Sequence, residues 1–272
     1  FLSHFLLPTM CFLFYVCSSD SDGAARFDRT LVPHQALMEM FFENFARKKL
    51  VCKEDGDFYD LVDMKGIALN AEGHVRLLDI FAWSCGGTLQ LQYLPQTVEL
   101  IDVRKNEFEG TVSTHELPPS TKIATLENNL LNGSLDLRQL PDAIQYMSVH
   151  SNKFSGTLSF DALPRSLVVL NLSTNGFDGS LDLQGIPKCL KIGKMRETFY
   201  ELWESRIPED TEDQLFVNFS NNNFVGAIFV RELSFVEQKG IFNNLECETL
   251  FDRHGNSEEI IKSTEANDCS KY

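Results

Sequence analysis

The stretch Leu167-Val168-Val169-Leu170-Asn171-Leu172-Ser173-Thr174-Asn175-Gly176-Phe177-Asp178-Gly179 decides the fold. Leu170 and Leu172 flank a polar Asn171, the two-residue alternation of a strand with one face in a core. Asn175, Phe177 and Gly179 then follow at two-residue steps. The same Asn-x-Phe-x-Gly signature stands at Asn152-Lys153-Phe154-Ser155-Gly156, Asn129-Leu130-Leu131-Asn132-Gly133 and Asn106-Glu107-Phe108-Glu109-Gly110, each 23 residues before the next. It returns at Asn222-Asn223-Phe224-Val225-Gly226, 47 residues after Asn175. A second marker, Leu-Pro or Ile-Pro, keeps the same period at Leu94-Pro95, Leu117-Pro118, Leu140-Pro141, Leu163-Pro164 and Ile186-Pro187. A fixed period of this length is the mark of a solenoid, in which each turn buries its apolar face only against its neighbours.

Each repeated residue type has a mechanical reason. The inward strand positions recur as Val98, Ile101, Val103 and Ile144, Met147, Val149; one period earlier they are Val75, Leu78 and Ile80, with Trp83 in the Asn position. The array therefore begins near residue 71. The column Asn106, Asn129, Asn152, Asn175 and Asn222 is expected to satisfy buried backbone groups at the bend after each strand. Phe108, Phe154, Phe177 and Phe224, with Leu131, are expected to form an apolar spine. The glycines two residues on permit a bend where a side chain would crowd the adjacent turn. Leu135-Asp136-Leu137 and Leu181-Asp182-Leu183 alternate again, as a short strand on the back. Because 47 is two periods plus one, a degenerate turn with an insertion is expected at about 188–213. There Leu190 and Met195 hold the register while Gly193, Thr198 and Leu202 break it.

These motifs resemble the plant-type leucine-rich repeat. The Leu-Pro-x-x-Leu openings joined to Asn-x-Phe-x-Gly-x-Leu look most like leucine-rich repeat proteins and surface antigens of protozoa. The resemblance covers residues 71–233 and implies an α/β-type solenoid that is mostly β. It would be a right-handed superhelix with a parallel sheet on its concave side. It specifies fold and leaves function open.

An exposed first turn would leave apolar side chains and strand edges in water, so residues 30–70 are read as an N-terminal helical cap. Leu37, Met38, Phe41, Phe42 and Phe45 have helical spacing. Met64-Lys65-Gly66-Ile67 before Gly73-His74-Val75 resembles the family's cap-to-repeat junction, with Met64 in the place of a Trp and Leu69 in that of a Cys. That last departure puts the family's cap disulfide in doubt. Residues 234–272 lose the period and are expected to form a C-terminal cap or a disordered tail.

Composition narrows the function. A formal net charge of -15 repels phosphate backbones, so no nucleic-acid partner is expected. Residues 1–17 are apolar and short for a membrane span. Residues 1–29 are read as a signal peptide or anchor plus linker, the chain's one route to a membrane. This points to a secreted or cell-surface protein, or to a cytoplasmic one if the segment is not a signal. Asn132-Gly133-Ser134, Asn171-Leu172-Ser173 and Asn218-Phe219-Ser220 are sequons compatible with export. Under oxidising conditions a bridge between two of Cys52, Cys85, Cys247 and Cys269 is open, its connectivity undecided. No hydrolase elbow, Walker loop, His-Glu-x-x-His or kinase signature occurs, so neither catalytic residues nor metal nor cofactor are expected. Cys247, between Glu246 and Glu248, makes a poor thiol nucleophile for a ligase, because acidic neighbours raise its pKa.

What remains is binding. Side chains alternating with the core residues form three columns on the concave face. They are Asp79, Asp102, Thr125, Ser148, Asn171, Asn218; Leu77, Leu100, Ile123, Tyr146, Val169, Phe216; and Phe81, Arg104, Glu127, His150, Ser173, Ser220. The expected function is recognition of a protein, or of a glycan, on this face. Tyr146, Phe216, Arg104, Asp102, His150, Asn171 and Asp79 are the nominated contacts, with Tyr146, Phe216 and Arg104 as projecting anchors. The remnant of a receptor ectodomain is the alternative.

Overall fold

The computed structural model describes residues 17–19, 25–186, 189–192, 214–230, 246–252 and 254–259. Two sheets enclose a shared core, and each repeat contributes one strand to each. The front sheet carries Val75–Asp79, Leu100–Asp102, Ile123–Thr125, Tyr146–Ser148, Val169–Asn171 and Gln214–Asn218 side by side, all parallel. The back sheet carries Gly86–Thr88, Glu107–Thr111, Leu130–Gly133, Lys153–Gly156, Gly176–Asp182 and Asn223–Val230. Leu170, Leu172, Met147 and Ile101 are fully buried between them, in the register the alternation predicts.

The asparagines work as a directional ladder. Asn129 accepts the Phe108 N–H at Oδ1 (3.1 Å) and donates through Nδ2 to the carbonyls of Val103 and Leu126, both at 3.0 Å. Asn106, Asn152 and Asn175 repeat this pattern, each serving the coil before its own. Such buried backbone groups would be costly to leave unpaired. Trp83 can therefore stand in the Asn position of the first coil, which has no earlier coil to serve. The residue before each asparagine is left-handed, with φ of 53° at Lys105, 55° at Asn128, 54° at Ser151, 55° at Thr174 and 56° at Asn221. Sequence reading did not anticipate this tight bend; Asn128 and Asn221, which tolerate that conformation, were its only signal.

Among the described residues no coil stands between those that carry Asn175 and Asn222, where the sequence led us to expect a degenerate turn. Val169–Asn171 pairs directly with Gln214–Asn218, Leu170 opposite Val217, and Asn222 takes the Phe177 N–H at 3.2 Å and reaches the Leu172 carbonyl at 3.0 Å. Residues 187–213 are thus an insertion between two adjacent coils, and 47 is one period with extra chain. Cys189–Ile192 lies beyond Gln214–Asn218 as a further parallel edge strand. Thr198, Gly193, Met195 and Leu202 lie outside the described residues.

The back strand reaches Leu181 and Asp182 as expected, but in the earlier coil it stops before Leu135. It coincides with the Asn-x-Phe-x-Gly segment itself, and Leu137–Gln139 is a 3-10 turn capped by Asp136. Phe108, Leu131, Phe154, Phe177 and Phe224 are all fully buried there, with Phe154 and Phe177 stacked at 6.2 Å between ring centroids. Each spine residue sits opposite the glycine of the preceding coil: Phe108 opposite Gly87, Leu131 opposite Gly110, Phe154 opposite Gly133, Phe177 opposite Gly156 and Phe224 opposite Gly179. Those glycines have φ between 81° and 101°. Backbone conformation is what they share. Crowding is local, since a Cβ at Gly133 would meet Thr111 Cγ2 at 2.8 Å while one at Gly226 meets nothing within 4 Å.

The cap begins with helix α1, His34–Phe42, which buries Leu37, Met38, Phe41 and Phe42. It ends before Phe45, whose backbone instead bridges to Gly87 and whose ring packs 4.8 Å from Phe108, joining cap to spine. Ile67–Leu69 runs antiparallel to Val75–Asp79 and closes the front sheet. Gly66, at φ 75°, lets this segment approach, since a Cβ would lie 2.2 Å from the Asp79 carbonyl oxygen. Met64 is buried in the Trp place of the junction. At the other end, Glu246–Asp252 extends the back sheet and pairs antiparallel with Ser257–Glu259, a hairpin cap rather than a wholly disordered tail. Cys52 and Cys85, two of the four cysteines the sequence left open for a bridge, stand as free thiols in the structure. Burial pushes the Cys85 thiol pKa up.

Candidate functional site: the outward face of the front sheet

On the front sheet, equivalent residues stand directly opposite one another: Leu77 by Leu100, then Ile123, Tyr146, Val169 and Phe216. The three columns read from sequence are therefore real neighbours about 4.8 Å apart. The middle one forms an apolar strip outside the main core, with Leu100, Ile123, Tyr146, Val168 and Val169 buried and Leu77 and Phe216 half-buried against them. Tyr146 is only 6% exposed, so it does not project as an anchor in the way the sequence suggested. Burial, then the nearby Glu127 charge, pushes its phenol well above the usual range.

The small polar column is partly structural. Asp79, Asp102, Asn171 and Asn218 each accept at Oδ1 the N–H of the residue two further on, at 3.0 to 3.2 Å, turning the chain out of the strand. Asp102 is fully buried. It holds Arg104 through two bonds, Nε to Oδ1 at 2.8 Å and Nη2 to Oδ2 at 2.7 Å, while the guanidinium lies 5.0 Å from the Phe81 ring centroid. Of the nominated residues, Phe216, Arg104, His150, Asn171 and Asp79 keep half-exposed surface on this face, whereas Asp102 and Tyr146 do not. Asn132, exposed on a back strand, is separate from Asn171 and Asn218, which pair across the front sheet.

Sequence reading placed Glu127 in a column without singling it out. Its carboxylate lies 3.6 Å from both Arg104 Nη1 and His150 Nε2. Burial raises its pKa, but His150, Ser148 and Arg104 together hold it below the usual carboxylate value. The signal that could have found it was charge complementarity among positions 102, 104, 127 and 150.

A separate cleft of roughly 630 Å³ opens at the cap, lined by Arg29, His34, His74 and Gln96 among others. Its His34 ring is engaged in accepting the Val75 N–H at 3.0 Å, which ties α1 to the first coil. Among the described residues no group of three or more His, Cys, Asp or Glu is arranged to hold a metal. No helix among them is long and apolar enough to cross a membrane. Residues 1–16, on which the expected signal or anchor rests, lie outside the described residues.

No protein-family model matches the chain, and no curated protein matches it. Solved structures do. The leucine-rich repeat ectodomain of the receptor kinase SOBIR1 from Arabidopsis thaliana is 16% identical, with 68% of this chain and 91% of that chain covered at a TM-score of 0.46. The BIR2 ectodomain from the same plant is 19% identical, covering 70% and 92% at 0.49. A chain of the BIR3–SERK2 complex, again from Arabidopsis thaliana, is 18% identical, covering 70% and 94% at 0.45. The 23-residue period, the two sheets built one strand per repeat and the asparagine ladder give this chain the fold of a leucine-rich repeat solenoid.

Proposed function

We propose that this protein is a non-enzymatic recognition module that binds a protein partner on the outward face of its front sheet, the concave side of the solenoid. One observation carries the reading: equivalent positions stack without stagger all along the front, whereas on the back they are staggered through the Asn-x-Phe-x-Gly segment. Front strands pair residues one full repeat apart, whereas back strands pair Gly87 with Phe108 or Gly133 with Phe154, 21 residues apart in a 23-residue repeat. At about 3.3 Å per residue, equivalent back positions slip by about 7 Å per coil. Among the described residues the front therefore offers the columns that run through every coil, held rigid from beneath, and a pre-ordered surface loses little entropy on docking. Phe216, Phe81, Arg104, His150 and Asn171 are the side chains such a partner would meet. The apolar residues 1–17 and the exposed Asn132 sequon on the back support a secreted or cell-surface setting.

The test is affinity capture on the full-length chain from its native source, comparing wild type with Asn171→Arg on the front and Asp178→Arg on the back. The expected result is a protein retained by wild type and Asp178→Arg and lost from Asn171→Arg. Retention by Asn171→Arg with loss from Asp178→Arg would overturn the reading.

A further inference from the structure

We infer that Glu127 is the anchor for a basic side chain, a Lys or an Arg, presented by the protein that occupies the front face; this rests on the reading just given. In the small polar column every other member is engaged: Asp79, Asp102, Asn171 and Asn218 take backbone N–H groups, and Thr125 donates to the Ile101 carbonyl at 3.2 Å. Ser148, fully buried, is the exception, its Oγ without a hydrogen-bond partner among the described residues. In the next column Glu127 is the exception. It is 9% exposed, its Oε2 is buried without a partner, and its Oε1 has only the two contacts at 3.6 Å, longer than a hydrogen bond. The two exceptions belong to adjacent coils and face the same side.

Charge balance around them is incomplete. Asp102 binds Arg104 at both oxygens, so Arg104 and His150 come no nearer to Glu127 than 3.6 Å, and the Glu127 Oε2 is buried without a hydrogen-bond partner among the described residues. Leaving such a group unmade is costly, and an arriving ammonium or guanidinium supplies the missing donors. The Glu127 side chain keeps 12% of its surface open. The net charge of -15 favours encounter with a basic partner.

The test uses peptides selected from a random dodecamer phage library on the full-length wild-type protein. The expected binders share one Lys or Arg at a fixed position. Replacing it in the synthetic peptide by norleucine or citrulline weakens binding at least about tenfold, worth roughly 1.4 kcal/mol. The same replacement has no effect on binding to Glu127→Gln, so the two changes are coupled. Binders lacking a fixed basic residue, or equal losses on both proteins, overturn the anchor. Binding abolished by Asn171→Arg but indifferent to Glu127→Gln overturns the anchor and leaves the front-face reading standing. Binding that survives Asn171→Arg, or a selection that yields no binder, overturns both.

Discussion

The front and back sheets are made from the same 23-residue repeat, yet they treat it differently. On the front, Leu77, Leu100, Ile123, Tyr146, Val169 and Phe216 align in one straight row. On the back, each glycine slides beside the next coil's Phe or Leu, and a bulge after Gly179 brings Leu181 opposite Ile228. The sequence period alone does not distinguish the two, because both sheets inherit it. Backbone conformation does: the left-handed residue before each asparagine and the glycine after it turn the chain twice within a few residues and offset the second strand. A repeat thus yields columns on one face and, through its Asn-x-Phe-x-Gly segment, oblique rows on the other, which is the ground for proposing the recognition surface on the front.

The comparison breaks most severely in the core the sheets share. Leu170→Ala should cost about 2 to 5 kcal/mol, because the close-packed interior between the sheets cannot collapse around the cavity. Chemical denaturation measures it. Next come the asparagines that tie the end of each front strand to the preceding back strand. Asn152→Ala and Asn222→Ala should each lose roughly 1 to 3 kcal/mol, and by similar amounts, since each serves the coil before it. A much smaller loss at Asn222 in the same experiment would mean that the ladder is interrupted by the insertion. On the back alone, Gly133→Ala should cost about 1 to 2 kcal/mol from its left-handed φ. It should exceed Gly226→Ala, where the added methyl meets no neighbour; thermal unfolding of the pair tests whether crowding adds to conformation. Smallest is Asn171→Ala on the outward front, under about 1 kcal/mol, because water can replace the half-exposed amide. An equal loss at Asn171 and Leu170 would reverse the strand register.

Much of this was legible in the sequence. Period, strand alternation, inward leucines, asparagine column and spine all follow from residue types that have one mechanical use each. The three front columns were also legible, since register on that sheet equals the period. What was not legible lay where chain length and spatial order part company. A spacing of 47 reads as two coils by arithmetic, but Asn222 bonds to Leu172 and Phe177 across the insertion, and only hydrogen bonding reveals that. The burial of Tyr146 was missed because alternation tells which face a side chain takes and says nothing of how deeply its neighbours cover it. Glu127 and Ser148 were placed but not chosen, because an unmade hydrogen bond leaves no mark on a sequence.

The most direct measurement of the central claim is site-specific photo-crosslinking in the native source. A benzophenone side chain would be placed singly at His150 or Asn171 on the front and at Leu130 or Asp178 on the back. Half-exposed front positions and exposed back positions are all open enough to report contact with another protein. The account predicts a discrete cross-linked protein from His150 and Asn171 and none from Leu130 and Asp178; cross-links from the back positions with none from the front would contradict it.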